Sequence, residues 1–505
     1  MPARARNGSD LPVDAVVIAA NAAVDPPTPE PGATPRTAPG VGRLADALAG
    51  AGVAVHVLAP HHQGGGADRA LAAHLAAAGL GPDRATVVGA DAAVAGATRA
   101  RTLVVTRCPE MAAGMTAAGH PVVVEEGRSA HQAVHGWLAG RAGAFAASAA
   151  LVAPPDGAAA AAARAHHGRL TKPPGSLGRL EELGALLAGI AGESPPPAPE
   201  PAVAVVFAGD HGVHGQGVSP WPREVTAQMV ANILAGGAAI DVLARQVGAG
   251  IAVVDVGVAG DVAPPPGSGS AGPHVAPQLI GRKVRRGTGD LSTGPAMTRG
   301  EARRALDAGA EVAALLAAGG ARCLVTGDMG IANTTPAAAL VACLTDRPAA
   351  RVTGRGAGVD DQGLTRKTAL VAAAVARARY EHGTDPLAVL AEIGGLEHAA
   401  LAGFLVGAAA LQVPVVVDGA VAASALLVAS RVVPGVERCV IAGHRADEPA
   451  SAAVLDELGI EPVLDLGMRL GEGTGAVLAL PVVASAARLL HEMATFDQAG
   501  VTPKA

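Results

Sequence analysis

The stretch Cys323-Leu-Val-Thr-Gly-Asp-Met-Gly-Ile-Ala-Asn-Thr-Thr-Pro336 decides the fold class. Its apolar start, Cys323–Thr326, reads as a buried strand. A Gly-Asp-Met-Gly turn follows, and Asn333, Thr334 and Thr335 with Pro336 in the first turn open a helix. The same cadence runs through the neighbouring sequence. Apolar runs lie at Ala202–Phe207, Ile251–Val256, Pro414–Val417, Cys439–Ile441 and Pro462–Leu464, with helical stretches between them such as Arg223–Val247 and Arg299–Ala318. Continuous apolar strands alternating with helices imply an α/β fold, a parallel sheet covered on both faces. Ligands of such sheets bind beyond the carboxyl ends of the strands. The polar, Gly-rich segments sit there: Gly209-Asp210-His211-Gly212, Gly327-Asp328-Met329-Gly330, Asp418-Gly419 and Gly443-His444-Arg445.

The chain has 505 residues, half of them hydrophobic and 16% charged, which is ample for two or three domains with large cores and too apolar for global disorder. Aromatic residues are nearly absent, so Ala, Val and Leu must build the core. The net charge of −6 and the lack of a basic stripe argue against nucleic-acid binding. Anionic ligands must then be held by local Lys and Arg groups and helix N-termini. Cys108, Cys323, Cys343 and Cys439 are scattered with no C-x-x-C pair, which favours buried free thiols over a disulfide framework or a zinc site. His211 and His214 lack an accompanying carboxylate–histidine helix, so no metal is expected. The apolar run Val13–Ala23 is interrupted by Asp14 and is not expected to be a signal peptide. The longest apolar tract, Phe404–Val428, is broken by Gln412, Pro414 and Asp418-Gly419; it reads as helix, strand, helix rather than a membrane span. A soluble cytoplasmic protein is the expectation.

Residues 1–150 carry a looser α/β rhythm, with strands expected at Ala15–Ala19, Val53–Leu58, Ala85–Val88, Leu103–Val105 and Pro121–Glu125. Pro26–Pro39 reads as a loop. Pro154–Ala163 reads as a break, so residues 1–150 are expected to form one α/β domain and residues 151–505 another unit; Pro195–Pro201 is a break inside the latter.

Four motifs carry chemistry or its bland alternative. Asn333-Thr334-Thr335 is either an ordinary helix cap or the mouth of an anion site at a helix N-terminus. Gly354-Arg-Gly-Ala-Gly358, Asp360-Asp361 and Lys367 form either a turn or a phosphate cradle with a reaching cation; no Gly-Lys-Ser/Thr ends it, so it is not a P-loop. Leu466-Gly-Met-Arg-Leu-Gly-Glu472-Gly-Thr-Gly475, ahead of a helix Ala476–Leu490, holds either a solvated loop Glu or a general base among glycines. Asp210-His211 with Ser219-Pro220-Trp221-Pro222 follows the first core strand, where Trp221 is either packing or a wall for an aromatic ligand. Leu170–Glu181 is a rigid lead-in to an amphipathic helix and requires no chemistry.

Seven strings, in order, resemble the nicotinate-nucleotide–dimethylbenzimidazole phosphoribosyltransferase family: LTKPPGSLGRLE from 170, AGDHGV from 208, GVSPWPREVTAQMV from 217, GTGDLSTGPAM from 287, GDMGIANTTPAAAL from 327, DGAVAASALL from 418 and MRLGEGTGA from 468. The resemblance covers roughly residues 160–500. It implies a Rossmann-like core, a smaller helical domain built from both ends of that region, and a homodimer with the active site near its interface. It implies a pentosyltransferase that moves phosphoribose from nicotinate mononucleotide to a benzimidazole base. It further implies that Glu472 is the general base and that Asp328, where the family carries an acidic residue one methylene longer, lines the sugar. Phosphate loops are implied at Gly330–Thr335 (Gly330, Asn333, Thr334, Thr335) and at Gly354, Gly356 and Lys367. The base pocket is implied around Ser219, Met229, Met329 and Leu470. The pyridinium of the donor is already a good leaving group, so no metal or redox cofactor is required. Alternatives are the same transfer to another acceptor, such as adenine or a phenol, and a nucleotide-binding regulatory protein without turnover.

Residues 83–126 resemble the second half of a haloacid-dehalogenase-like hydrolase. The Asp pair such an enzyme needs is missing near Ile18-Ala-Ala-Asn21, and the later acidic pair is reduced to Asp91, so a degenerate domain and no phosphatase activity are expected.

Overall fold

The computed structural model describes residues 130–263 and 277–502 continuously and, within the first 129, residues 15–19, 24–25, 36–37, 44, 47–48, 53–58, 86–88, 102–106 and 122–124. Five of those segments are strands of one sheet: β1 (Ala15–Ala19), β2 (Ala54–Leu58), β3 (Thr86–Val88), β4 (Thr102–Thr106) and β5 (Val122–Val124). All pair in parallel, in the order β3-β2-β1-β4-β5. The apolar run near the N-terminus is thus the central strand of a sheet, with Val16 and its neighbours Val104 and Val105 buried. Val24–Asp25 pairs antiparallel with Arg36–Thr37 at the two ends of the Pro-rich stretch. Asn21, Asp91 and Cys108 lie outside the described residues.

The second sheet has six strands: β6 (Ala202–Gly209), β7 (Gly250–Gly257), β8 (Gln278–Gly281), β9 (Cys323–Met329), β10 (Val415–Val417) and β11 (Val440–Ala442). Every pairing is parallel, in the order β8-β7-β6-β9-β10-β11. From β6 the chain steps outward one way through β7 and β8, and from β9 it steps outward the other way. The loops after β6 and β9 therefore diverge, which opens a crevice at the carboxyl end of the sheet.

Side chains alternate across the pleat. Val205, Phe207, Val254, Leu324 and Val415 join the apolar layer beneath helices Arg299–Ala318, Leu396–Ala410 and Ala420–Val432. Ala204, Val206, Val253, Val325 and Val416 join the opposite layer, beneath Ala239–Val247 and Thr474–Glu492. With few aromatics to fill space, helices close to backbone distance. A Cβ on Gly309 would stand 1.8 Å from the Ala400 carbonyl oxygen, and one on Gly403 1.9 Å from that of Leu306. The long apolar tract folds as helix, strand β10 and helix inside this core. Two helical stretches, Val225–Val247 and Thr474–Glu492, are long and apolar enough to cross a membrane by composition, and both pack on the sheet. Helix Arg179–Ala191 and the C-terminal Thr474–Glu492 share a small cluster of Ala163, Ala185, Ala188 and Leu490, so both ends of this region build one helical layer.

Four expectations are corrected. Arg223–Val247 is two helices, Val225–Leu234 and Ala239–Val247, broken by Gly236-Gly237. Pro462–Leu464 is not a strand; Leu464 makes one bridge to His444, and the extra strand is β8. Much of Pro154–Ala163 is helix: Asp156 accepts from the Ala159 amide at 2.9 Å and starts Gly157–His167, whose alanines are the best helix formers. Asn333 does not cap the helix Thr334–Thr345, for a reason given below.

Candidate active site

The Glu472 loop is decided by its glycines. Gly471, Glu472 and Gly473 have φ of 85°, 62° and 93°, three left-handed residues in a row. Glycine tolerates that region freely, whereas a Glu there is strained. The turn inverts the chain, so Glu472 is buried at 5% exposure rather than solvated. Its amide donates to the Asp328 carbonyl at 3.3 Å. Gly327 in β9 lies directly beneath, because a Cβ there would meet the Glu472 carbonyl oxygen at 2.4 Å. Asp418, just past β10, holds the loop from below: its carboxylate accepts from the Gly473 amide at 3.1 Å and the Ala476 amide at 3.0 Å, while His444 Nε2 lies 3.2 Å away. An acid at the first turn of Thr474–Glu492 also complements the helix dipole.

The Glu472 carboxyl faces the Ile240 amide, and its Oε2 has no hydrogen-bond partner. Burial pushes its pKa up, Asp241 and Asp418 push the same way, and the Ile240 amide opposes them. Asp328 is buried too, and Asn333 Nδ2 donates to its Oδ2 at 2.8 Å. That bond turns the side chain toward Asp328, and the helical backbone of Asn333 itself (φ −59°, ψ −26°) takes it out of capping geometry. Burial first, then the nearby Asp418 and Glu397, push the Asp328 carboxyl up to about 8.

The cradle residues converge as the sequence suggests. Lys367 is fully buried, and its Nζ donates to Thr334 Oγ1 at 2.7 Å and to the Gly354 carbonyl at 3.0 Å. Gly356, at φ 52°, packs so closely that a Cβ would stand 2.5 Å from Thr334 Oγ1. Glu448 accepts from the Gly356 amide at 2.6 Å, and Arg469 Nη1 donates to the Gly356 carbonyl at 2.8 Å. Burial lowers the Lys367 pKa to about 8 and raises that of Glu448, and each charge opposes the other's shift; desolvation outweighs their attraction. Thr335 is wholly buried and its hydroxyl has no partner, so this conformation closes it to a ligand.

The remaining expected residues flank these groups. Ser219 Oγ accepts from the Trp221 amide at 3.3 Å, and Trp221, half exposed, donates Nε1 to the Ala357 carbonyl at 3.3 Å. Met229 packs in the layer that contains Met329, and Thr226 on the same helix accepts the Ile331 amide at 3.1 Å. Leu470 is exposed beside Glu472.

Several site groups leave little trace in the sequence. Beneath Gly330, His211 Nε2 lies 2.8 Å and His398 Nδ1 2.7 Å from Glu397 Oε1, all three buried. Burial opposes the Glu397 charge, yet the two imidazoles hold its pKa well below the usual carboxylate range. The signal was a Glu-His pair inside the apolar run Leu396–Ala410. His214 turns away to the Trp221 carbonyl at 2.8 Å, so the two loop histidines do not converge. Asp241, Glu448 and Arg469 gave no signal beyond ordinary helix and loop charges. Cys323, Cys343 and Cys439 are buried free thiols. Glu381, His382 and Glu392 come within ligand distance of one another, but Arg377 Nε already binds Glu392 at 2.6 Å.

A family model described as phosphoribosyltransferase matches residues 152–501. A nicotinate-nucleotide–dimethylbenzimidazole phosphoribosyltransferase of Salinispora tropica is 56% identical over 341 residues, spanning 66% of this chain and 93% of the relative. One of that name from Chloroflexus aurantiacus is 52% identical, spanning 68% and 93%. The crystal structure of CobT from Thermus thermophilus matches with a TM-score of 0.64 at 47% identity, over 69% of this chain and 100% of that one. The family model, the identity to these relatives and the likeness of fold show that the chain belongs to the nicotinate-nucleotide–dimethylbenzimidazole phosphoribosyltransferase family.

Proposed function

We propose that the protein transfers phosphoribose from nicotinate mononucleotide to 5,6-dimethylbenzimidazole, giving α-ribazole 5′-phosphate and nicotinate, in assembly of the lower-ligand nucleotide loop of cobalamin. The observation that carries the reading is the charge arrangement at the carboxyl end of the sheet. Buried carboxyls Glu472, Asp328 and Asp418 gather at the ends of β9 and β10, and the Lys367–Thr334–Gly356 cradle adjoins them through Asn333 and Arg469. A substrate with a phosphate at one end and a cationic ring at the other fits that polarity.

In this reading Lys367 and the loops at Gly330–Thr334 and Gly354–Gly356 hold the phosphate. One acceptor nitrogen attacks the anomeric carbon from the face opposite nicotinate, which inverts the centre. The breaking C–N bond leaves its electron pair on the pyridine nitrogen and discharges it. The second acceptor nitrogen gives its proton to Glu472 Oε2, and Asp328 stabilises the positive charge developing on the sugar. Ser219, Met229, Met329, Trp221 and Leu470 form the acceptor pocket. The protein acts as a cytoplasmic homodimer, and the α/β sheet of β1–β5 belongs to a non-catalytic domain, while the helix Ala144–Leu151, at the boundary of residues 1–150, packs on the transferase core, where the Phe145 amide donates to Asp307 Oδ1 at 2.9 Å.

The test is incubation of the purified protein with both substrates, with product detected by chromatography and mass. Glu472→Gln keeps donor binding and lowers turnover by about 10²–10⁴-fold. Normal turnover in that variant overturns the assignment of the base. Nicotinate release with another base, and none with dimethylbenzimidazole, favours a different acceptor.

A further inference from the structure

Two buried carboxyls share one helix N-terminus. The helix Ala239–Val247 begins with Ala238 as its cap and Asp241 as its third residue, and Asp241 Oδ2 accepts from the Ala238 amide at 2.9 Å. Asp241 is 1% exposed, and its Oδ1 has no partner. Glu472 approaches the same turn from the other side, facing the Ile240 amide, also buried and also with one oxygen, Oε2, unpartnered. Gly473 packs the loop onto that turn, since a Cβ there would meet Ile240 Cδ1 at 3.6 Å. A helix N-terminus draws negative charge and lowers the basicity of a lone carboxylate beside it. Here two carboxylates divide that attraction.

We propose that Asp241 is a positioning residue for the transfer: its charge occupies the helix N-terminus and repels Glu472, so that Glu472 Oε2 stays unpartnered and basic enough to take the acceptor's proton. The inference rests on Glu472 being the base. Other titratable groups facing the pair are Asp418 and Asp328 toward Glu472, the latter largely protonated below about pH 8, and Arg245 toward Asp241 from its own helix. Asp418 pushes Glu472 the same way from below, held by the Gly473 and Ala476 amides, but Asp241 is the stronger influence and alone shares the helix N-terminus with it. Burial raises the Asp241 pKa to about 6, against the pull of the Ala238 amide and Arg245. Asp241 is therefore charged at neutral pH and loses its repulsion in acid.

The experiment is the pH profile of kcat and KM in the full-length protein carrying Asp241→Asn, with Glu472→Gln in parallel. Asn keeps an acceptor for the Ala238 amide. The acid limb of kcat should move down by about 0.5–1 pH unit, as Glu472 becomes the weaker base, and plateau kcat should fall a few-fold with KM for nicotinate mononucleotide unchanged. Asp241→Ser retains an acceptor without charge and must give the same shift, which covers a poorly folding Asn variant. A merely structural role would lower stability or raise KM without moving the limb, and that result overturns the proposal. An unmoved limb with Glu472→Gln inactive removes the role of Asp241 and leaves the base in place. An active Glu472→Gln removes both.

Discussion

Gly327→Ala isolates the placement of Glu472 from its chemistry. The added methyl would stand 2.4 Å from the Glu472 carbonyl oxygen, 2.8 Å from its carbonyl carbon and 3.1 Å from the Gly473 nitrogen. Such contacts relax to roughly 3.4 Å, so one side must give by about 1 Å. Strand β9 cannot yield readily, because it is hydrogen-bonded to β6 along seven register positions and to β10 beyond. The loop is held by single bonds from Asp418 and by the 3.3 Å contact to the Asp328 carbonyl, so it moves. A displacement of about 1 Å in a catalytic group costs on the order of 10²-fold in rate, and overpacking costs about 1–3 kcal/mol in stability. The expected result is a folded variant with kcat down about 10²-fold and KM for nicotinate mononucleotide nearly unchanged, since Lys367, Thr334 and Gly356 stand on other elements. Initial rates of α-ribazole 5′-phosphate formation, with a thermal melt, measure both. Gly281→Ala is the control, because a Cβ there meets nothing within 4 Å. A folded Gly327→Ala protein with wild-type kcat would refute the reasoning.

Asp328→Asn should make the protein more stable at pH 8 but not at pH 4, while lowering turnover. The folded carboxyl titrates near 8 against 3.8 for an unperturbed aspartate, so between those values the folded state binds the extra proton and wild-type stability falls as pH rises; thermal melts across that range should show the decline flattened by Asn. Lys367 titrates near 8, so its ammonium is present below that pH and lost above it. The KM for nicotinate mononucleotide should therefore rise above about pH 8, and a Lys367→Met variant, with KM already raised about 10–100-fold, should lose that rise.

The sheet was legible because its strands are continuous apolar runs, and five of the six core strands fall where those runs do. β8, Gln278–Gly281, was not, since an edge strand of four residues with exposed ends needs no apolar run. The split at Gly236-Gly237 was missed because the 3.6-residue period continues across it. The convergence of Gly354, Gly356 and Lys367 was legible because a tight turn leaves glycines in the sequence and a reaching cation leaves a lysine. The carboxyl neighbourhood of Glu472 was not: Asp328 ends β9, Asp418 follows β10 and Asp241 opens the helix Ala239–Val247, and only the tertiary fold brings these three together. Asn333 shows the limit of local reasoning, since its side chain turns to Asp328, five residues away, and its own helical backbone takes it out of capping geometry.

The same arrangement explains why an acidic site is tolerated at all. Burial, and after it each neighbouring carboxyl, raises the cost of ionising Asp328, and its value near 8 reflects both. An empty site therefore sheds part of its charge by taking up a proton. In the proposed reading, a pyridinium donor entering beside Asp328 supplies the missing positive charge and releases that proton, so donor binding should strengthen as pH rises toward 8, until Lys367 begins to lose its own. In the proposed reading the two titrations, Asp328 and Lys367, should confine tight binding to a window that neither group sets alone.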